Sequence, residues 1–177
     1  MSQARYPTAL IALHWLTLLL IVAAYIGMEF RGEFPRGSAA RNWMVSVHYS
    51  AGLSVLALVL VRLALRLRGG IPPVTPPLAP VQRLGAAAGH AALYLFMLGM
   101  PLLGWLLVSA DDKAFSLWGL PLPALLAPDP DLAHTLEEIH EIGATVGYVL
   151  IALHVAAAIY HHYLRRDDTL KRMLPGR

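Results

Sequence analysis

Cysteine is absent from this 177-residue chain, and its absence excludes several kinds of chemistry. Disulfides, iron–sulfur clusters, thiolate zinc sites and covalently attached c-type haem all need cysteine side chains. Charged residues are scarce as well, at 14% of the chain, while hydrophobic residues make up 57%. Soluble domains carry about a quarter charged residues, so this composition indicates a small integral membrane protein.

A large excess of basic charge is also missing, since the formal net charge is only +3. The lysines and arginines stand at the ends of apolar segments, where they determine membrane topology, and we expect no nucleic-acid partner. The first apolar segment is as long as a full span and has no convincing cleavage site before Glu29. We therefore interpret it as a retained helix and not as a signal peptide.

Four apolar stretches are each close to the roughly 20 residues that cross a bilayer core. They cover residues 7–28, 43–65, 84–108 and 139–164. Backbone polar groups in lipid must be satisfied within their own segment, so the stretches predict helices that pack as one bundle. The predicted fold class is an all-α integral membrane protein, a four-transmembrane-helix bundle that forms a single domain over residues 1–177.

The distribution of lysine and arginine predicts the orientation, because the more basic side of a membrane protein faces the cytoplasm. One side carries Arg5, Arg66, Arg68, Arg83, Arg165, Arg166, Lys171 and Arg172. The other side carries Arg31, Arg36, Arg41 and Lys113. We therefore expect both termini to be cytoplasmic.

The eight histidines are the main candidate metal ligands of a chain that has no cysteine. In the fourth stretch, His140 and His154 are fourteen residues apart, so both imidazoles point from one helix face with an axial separation of about 21 Å. With the orientation above, His140 lies at the depth of His48, and His154 at a depth compatible with His14. Charged side chains inside a bilayer cost roughly 2.5 kcal/mol or more, which favours a functional interpretation of all four.

The two pairs, His48 with His140 and His14 with His154, predict two haems stacked across the membrane. Neutral imidazoles from facing helices fill both axial positions of a haem iron, which leaves an electron-transfer centre without an open site for oxygen. Zinc would need about four ligands at one depth, and this spread of histidines does not supply them. For any single histidine, a hydrogen bond to a neighbouring helix is the alternative.

Other residues of the spans have two interpretations each. Gly143 and Gly147 lie on the ligand face, where they either admit a large flat group or serve Gly-x-x-x-Gly helix packing. We expect His90 at the inner level, bonded to a propionate, a ligand ring or another helix. His161 and His162 belong at the cytoplasmic mouth, as a proton source for a quinone or as an interfacial polar pair. Errors in helix boundaries leave His161 as an alternative inner ligand.

Three arginines cluster near the predicted outer haem, namely Arg31, Arg36 and Arg41. Clustered positive charge raises the local concentration of a small anion, which would make them steering residues. A solvated loop or one that binds lipid headgroups is the alternative, because Glu33 and the acidic third connection dilute the field.

Three segments together resemble the bacterial four-helix dihaem cytochromes b561, and the resemblance covers nearly the whole chain. They are ALHWLTLLLIVAAYIGMEFRGEFPR, VHYSAGLSVLALVLVRLALRL and HEIGATVGYVLIALHVAAAIYHHYLRRDDTLKRMLP. The resemblance implies two b-type haems, one held by His14 and His154 on the cytoplasmic side and one by His48 and His140 on the outer side. It also implies a bacterial inner-membrane location and ubiquinone as the electron acceptor.

Members of this family that are similar to this chain include a superoxide oxidase, so the resemblance implies superoxide as the donor at the periplasmic face. In that picture Arg31, Arg36 and Arg41 steer the anion, and His161 is the proton-side residue of the quinone site. The proline-rich second connection departs from the family because it has no lysine between Arg68 and Arg83. Two alternatives stay open: a haem b subunit fed by a dehydrogenase or hydrogenase partner, and a haem-free, histidine-lined carrier of protons or metal ions.

Overall fold

The computed structural model describes residues 5–70 and 72–175, and four long helices dominate it. They are α1 (Thr8–Glu29), α2 (Ala39–Gly69), α3 (Pro80–Ala110) and α4 (Pro130–Ile159). All four are long and apolar enough to cross a membrane. The predicted helical membrane bundle is therefore confirmed, while the extreme ends of the predicted domain, residues 1–4 and 176–177, lie outside the described residues.

Three helices begin earlier than the apolar stretches predict. Helix α3 begins at Pro80 and not at residue 84, and side-chain caps explain where the other two start. Helix α2 begins at Ala39 and not at residue 43, because the Ser38 side chain accepts a hydrogen bond from the Arg41 backbone N–H at 3.3 Å. Helix α4 begins at Pro130 and not at residue 139, because Asp129 caps the Leu132 N–H at 3.0 Å. Such caps stabilise a helix by about 1 kcal/mol. The polar first turns that follow them are not detected by hydropathy.

Helix α3 passes through Pro101 and stays helical to Ala110, although proline removes one backbone donor. Helix α4 continues beyond Ile159 as one wider turn, the π-helix Tyr160–Leu164. The four spans therefore remain continuous from one side of the bundle to the other.

The helices pack in two pairs, α1 with α2 and α3 with α4, and α2 also contacts α3. Gly27 allows the first pair to approach closely, since a Cβ there would lie 2.7 Å from the Met44 carbonyl oxygen. A small buried cluster of Val55, Val59 and Met97 joins α2 to α3. Within the described chain, α4 has little backbone contact with α1 or α2, so a slot remains on that side of α4.

The third connection forms a short hairpin of β1 (Ser116–Leu117) and β2 (Leu120–Pro121) that packs on α2. Trp118 and Gly119 turn the chain with φ values of 51° and 91°. The Trp118 backbone N–H donates to Ser50 Oγ at 3.0 Å, and its indole N–H donates to Ser54 Oγ at 3.0 Å. These bonds hold this part of the third connection against the side of α2.

The C-terminal segment, residues 165–174, folds back across the end of the bundle that is predicted to be cytoplasmic. Asp168 pairs with the second connection through two hydrogen bonds with the Thr75 backbone, at 2.9 and 3.1 Å. The Trp15 indole donates to the Met173 carbonyl at 2.8 Å and attaches the segment to α1. The segment thus joins α1, the second connection and the end of α4.

Candidate haem-binding centre

Two pairs of histidines face one another across the slot beside α4. After the predicted orientation, we call His48 and His140 the outer pair and His14 and His154 the inner pair. The ring centroids of His48 and His140 are 6.0 Å apart, and those of His14 and His154 are 6.2 Å apart. Two metal–imidazole bonds of about 2 Å, together with the distance from each nitrogen to its ring centre, require a separation of about 6 Å. The structure therefore brings together both predicted pairs, each at the spacing that a shared iron needs.

The hydrogen bonds of the outer pair suit metal ligation. His48 Nδ1 donates to the Ala24 carbonyl at 2.9 Å, which leaves its Nε2 as the ligating atom. Ligating histidines usually fix their orientation by donating the other ring N–H in this way. Nδ1 of His140 is buried and has no hydrogen-bond partner among the residues that the structure describes. A buried polar atom without a partner costs about 1–3 kcal/mol, so the His140 ring lacks the orienting hydrogen bond that His48 has.

A cavity of about 520 Å³ adjoins the outer pair and is lined on its apolar side by Phe96, Met97 and Met100. Ligand cavities commonly measure about 300–1,000 Å³, so there is room for a large, mostly apolar group. No set of three or more histidine and carboxylate side chains in the described ranges forms a site for a bare metal ion. Two facing histidines beside a roomy apolar cavity would suit a flat macrocycle that brings its own four nitrogen ligands.

The inner level holds a third histidine, because His90 lies 5.8 Å from His154, measured between ring centroids. His90 Nδ1 donates to the Ala86 carbonyl at 2.6 Å, so this ring also has its Nε2 available. Helices α3 and α4 pack together, whereas α1 and α4 have little backbone contact. Of these two neighbours of His154, His14 is the one that faces it across the slot, so His14 and His154 fit a haem better than His90 and His154.

The two glycines on the ligand face contact side chains. A Cβ on Gly147 would overlap the Phe96 ring and the Tyr25 hydroxyl, and one on Gly143 would overlap the Met100 sulfur. Tyr25 also donates to the Ala144 carbonyl at 2.8 Å, one turn from Gly147. In this structure the glycines therefore serve close packing at the level between the two histidine pairs.

Gly104 on α3 is a contact that the sequence did not indicate. A Cβ there would lie 3.2 Å from Cε1 of His140, so glycine leaves room for that imidazole.

Sequence reasoning also missed Arg62, a half-buried residue of α2 that interacts electrostatically with His14 and Tyr94. Within the described part of the chain, no carboxylate forms an ion pair with it. The signal was available, since Arg62 is the single charged residue in the apolar run of residues 53–65. A charge at this depth is costly without a partner, so Arg62 is a candidate contact for an anionic group at the inner pair.

The three outer arginines have different surroundings. Arg31 lines the cavity beside His48 and His140. Arg41 donates to the Arg31 and Phe34 carbonyls at 3.2 and 3.3 Å, so it holds the first connection together. Arg36 is exposed and does not line this cavity. Among the three predicted steering residues, the structure brings only Arg31 to the cavity.

Carboxylates outnumber cations around the same cavity. Arg31 and Lys113 are its basic residues, and its acidic residues are Glu29, Asp111, Glu137 and Glu141. Lys113 forms an ion pair with Asp111, and this hydrogen bond raises the pKa of Lys113. The local charge balance thus opposes anion attraction everywhere except close to Arg31.

His161 lies at the end of α4 that is predicted to be cytoplasmic and has a buried acidic partner. Its Nδ1 is 2.6 Å from Oδ2 of Asp167, and Arg165 Nε donates to the same oxygen at 2.9 Å. His161 therefore faces the C-terminal segment and is not an inner ligand opposite His14. His162 Nδ1 is buried without a hydrogen-bond partner in the described residues, and we assign it no role.

The prokaryotic cytochrome b561 family matches residues 5–176 of the chain. The chain is 39% identical over 173 residues to cytochrome b561 homolog 1 of Escherichia coli (strain K12), with 98% of both chains covered. It is 35% identical over 171 residues to the probable superoxide oxidase CybB of Yersinia pestis, with 97% of this chain and 96% of the relative covered. The match spans all four helices and all four paired histidines, and the chain belongs to the prokaryotic cytochrome b561 family.

Proposed function

We propose that the protein is a dihaem cytochrome b that oxidises superoxide at the periplasmic face and reduces ubiquinone at the cytoplasmic face. The coarser part of this statement follows from the family, which implies b-type haem and an oxidoreductase or electron-transfer role in a membrane. The number of haems, the ligands, the two substrates and the orientation are the proposed part. Both termini are proposed to be cytoplasmic, in a multi-pass protein of the bacterial inner membrane.

The proposal depends on one observation: α4 contributes one imidazole to each of two pairs. The ring centroids within the two pairs are 6.0 and 6.2 Å apart. Along α4 the two levels are fourteen residues apart, or about 21 Å. When bound, haem b supplies reversible one-electron chemistry. The residues proposed to hold the outer haem are His48 and His140, and those proposed for the inner haem are His14 and His154.

At the outer end, Arg31 is the residue that would draw superoxide toward the cavity, because it is the arginine that lines it. Arg36 and Arg41 keep the steering role only through the general field of the loop, since neither lines the cavity. A relative named a probable superoxide oxidase supports superoxide as the donor. One-electron entry also suits superoxide, which releases one electron when it becomes oxygen.

At the inner end, His161 is the proposed proton-side residue for ubiquinone. The cation that reaches the second connection is Arg165, which donates to the Pro77 carbonyl at 2.7 Å and to Gln82 Oε1 at 2.6 Å. Arg165 thus supplies positive charge where the sequence has no lysine between residues 68 and 83. Uptake of cytoplasmic protons here, with electrons entering from the outer side, would separate charge across the membrane.

The test measures the visible spectrum and the haem content of the purified protein before and after addition of superoxide, with an ubiquinone analogue as acceptor. We expect two b-type haems per chain, reduction by superoxide, and reoxidation by the quinone. His140→Ala should remove one haem and abolish reduction by superoxide. His134→Ala is the matched control, because His134 is exposed near the start of the same helix and belongs to neither pair.

The contrary outcomes are distinct. Two haems that stay oxidised with superoxide would reject the donor and favour an electron-transfer subunit fed by a partner protein. A folded, colourless protein would reject the haem proposal and favour a histidine-lined carrier.

A further inference from the structure

Buried charged groups join the end of α4 to the C-terminal segment and to the start of α3. Asp167 is 2% exposed, and its Oδ2 lies between His161 Nδ1 and Arg165 Nε. Its other oxygen accepts the Thr169 backbone N–H at 2.9 Å. Arg165 extends the network to Gln82 at 2.6 Å. Both oxygens of the Asp167 carboxylate are therefore occupied by donors.

These bonds determine which ring nitrogen of His161 faces the carboxylate. Burial by itself raises the pKa of Asp167, but the hydrogen bonds from His161 and Thr169 outweigh burial and leave its pKa below the usual value. An ionised carboxylate accepts hydrogen bonds and donates none, so the proton between His161 and Asp167 belongs to His161 Nδ1. The other ring nitrogen, Nε2, is then the atom that exchanges protons.

The His161 side chain is 14% exposed, so part of its ring reaches solvent. Its Nε2 makes no hydrogen bond to the described residues, whereas its Nδ1 is held by Asp167. The groups that face the ring are Asp167 and, behind it, Arg165, with Tyr160 at 5.6 Å between ring centroids. A histidine with one ring nitrogen held and the other open can take up and release a proton at the open nitrogen.

The neighbouring Asp168 is also buried, with 4% of its surface exposed, but it has a different role from Asp167. It accepts the Thr75 N–H and forms an ion pair with Arg172 at 3.4 Å. Arg172 in turn donates to the Pro72 carbonyl. Asp168 therefore attaches the C-terminal segment to the second connection, whereas Asp167 holds an imidazole.

We propose that Asp167 is a positioning residue that holds His161 with Nδ1 protonated, so that Nε2 takes protons from water and delivers them to ubiquinone at the inner face. This inference rests on the proposed function, because it needs a quinone at this end. Two electrons from the haem route and two protons convert the quinone to the quinol. Each proton binds at Nε2 and leaves from Nε2, after which the imidazole is neutral again and Asp167 has stayed ionised throughout.

The experiment follows reoxidation of the chemically reduced haem protein by an ubiquinone analogue in a stopped-flow instrument, which avoids any dependence on superoxide. We expect Asp167→Asn to lower the maximal rate at least about tenfold, because a positioned acid or base contributes about 10²–10⁴-fold. The quinone concentration at half-maximal rate should stay within about twofold. Asp167→Glu should recover part of the rate, and Asp168→Asn is the matched control with a rate close to wild type.

A second measurement determines the tautomer of His161 by ¹⁵N NMR of protein labelled at its histidines. The His161→Gln variant assigns the signal, because that signal is missing from its spectrum. The wild type should show Nδ1 protonated, and Asp167→Asn should show a mixture, because an amide both accepts and donates.

Four results would overturn the inference. Equal rates in Asp167→Asn and Asp168→Asn, or full activity of His161→Gln, would reject the role of Asp167 while leaving quinone reduction intact. An Nε2-protonated ring in the wild type would reject the proposed tautomer. A wild-type protein that quinone does not reoxidise would reject this role and the proposed acceptor together.

Discussion

Replacement of Gly147 by alanine tests whether α4 approaches its neighbours as closely as the structure requires. A Cβ at this position would overlap the Phe96 ring and the Tyr25 hydroxyl. Overpacking of this kind costs typically about 1–3 kcal/mol. If Tyr25 moves away, its bond to the Ala144 carbonyl is lost as well, at a cost of about 1 kcal/mol. We therefore expect the free energy of unfolding to fall by about 2–4 kcal/mol.

The assay is denaturant or thermal unfolding in detergent, followed by circular dichroism and by the haem absorption. Gly99→Ala on α3 is the control, because a Cβ there meets nothing within 4 Å. Alanine is a better helix former than glycine by about 0.5–1 kcal/mol, so this variant should be as stable as wild type or more stable. Equal stability of the two variants would refute the packing argument at Gly147.

Two further predictions concern the inner ligand and the outer cavity. His14→Ala should lower the haem content from two to one per chain, whereas His90→Ala should keep both haems, because α1 and not α3 faces α4 across the slot. The pyridine haemochrome assay measures the haem content. The reverse pattern would assign the inner ligand to His90. Arg31→Gln should slow reduction by superoxide several-fold and weaken its dependence on ionic strength, whereas Arg36→Gln should have little effect, because only Arg31 lines the cavity. Identical rates and salt dependence in both arginine variants would exclude local steering.

The sequence predicted the four helices and the facing histidines because both depend on regular periodicity. A helix repeats every 3.6 residues, so a fourteen-residue spacing places His140 and His154 on one face whatever surrounds them. Membrane thickness then limits the depth of each histidine, which is enough to select its partner on the opposite helix. The centroid distances of 6.0 and 6.2 Å agree with that selection.

The helix ends were less predictable, because hydropathy marks the lipid boundary and not the end of the hydrogen-bonded helix. The first turns of α4 are polar and project beyond the apolar stretch, and Asp129 caps them. The sequence also did not show that Arg41 bonds to the loop carbonyls while Arg31 lines the cavity. Both arginines lie in one short connection, and only the path of the backbone separates their roles.

The surroundings of His161 show most clearly where periodicity stops being informative. In a regular helix, the seven-residue spacing places His161 on the face of His154, and errors in the helix boundaries left His161 as an alternative inner ligand. The chain instead widens into the π-helix Tyr160–Leu164 and then reverses at Arg166, which has a φ of 57°. This reversal brings Asp167 back to His161, and π turns of this kind occur frequently at functional sites. The helix that carries both proposed inner and outer ligands thus ends in a histidine held by a buried carboxylate, at the end of the bundle where electrons would leave and protons would enter.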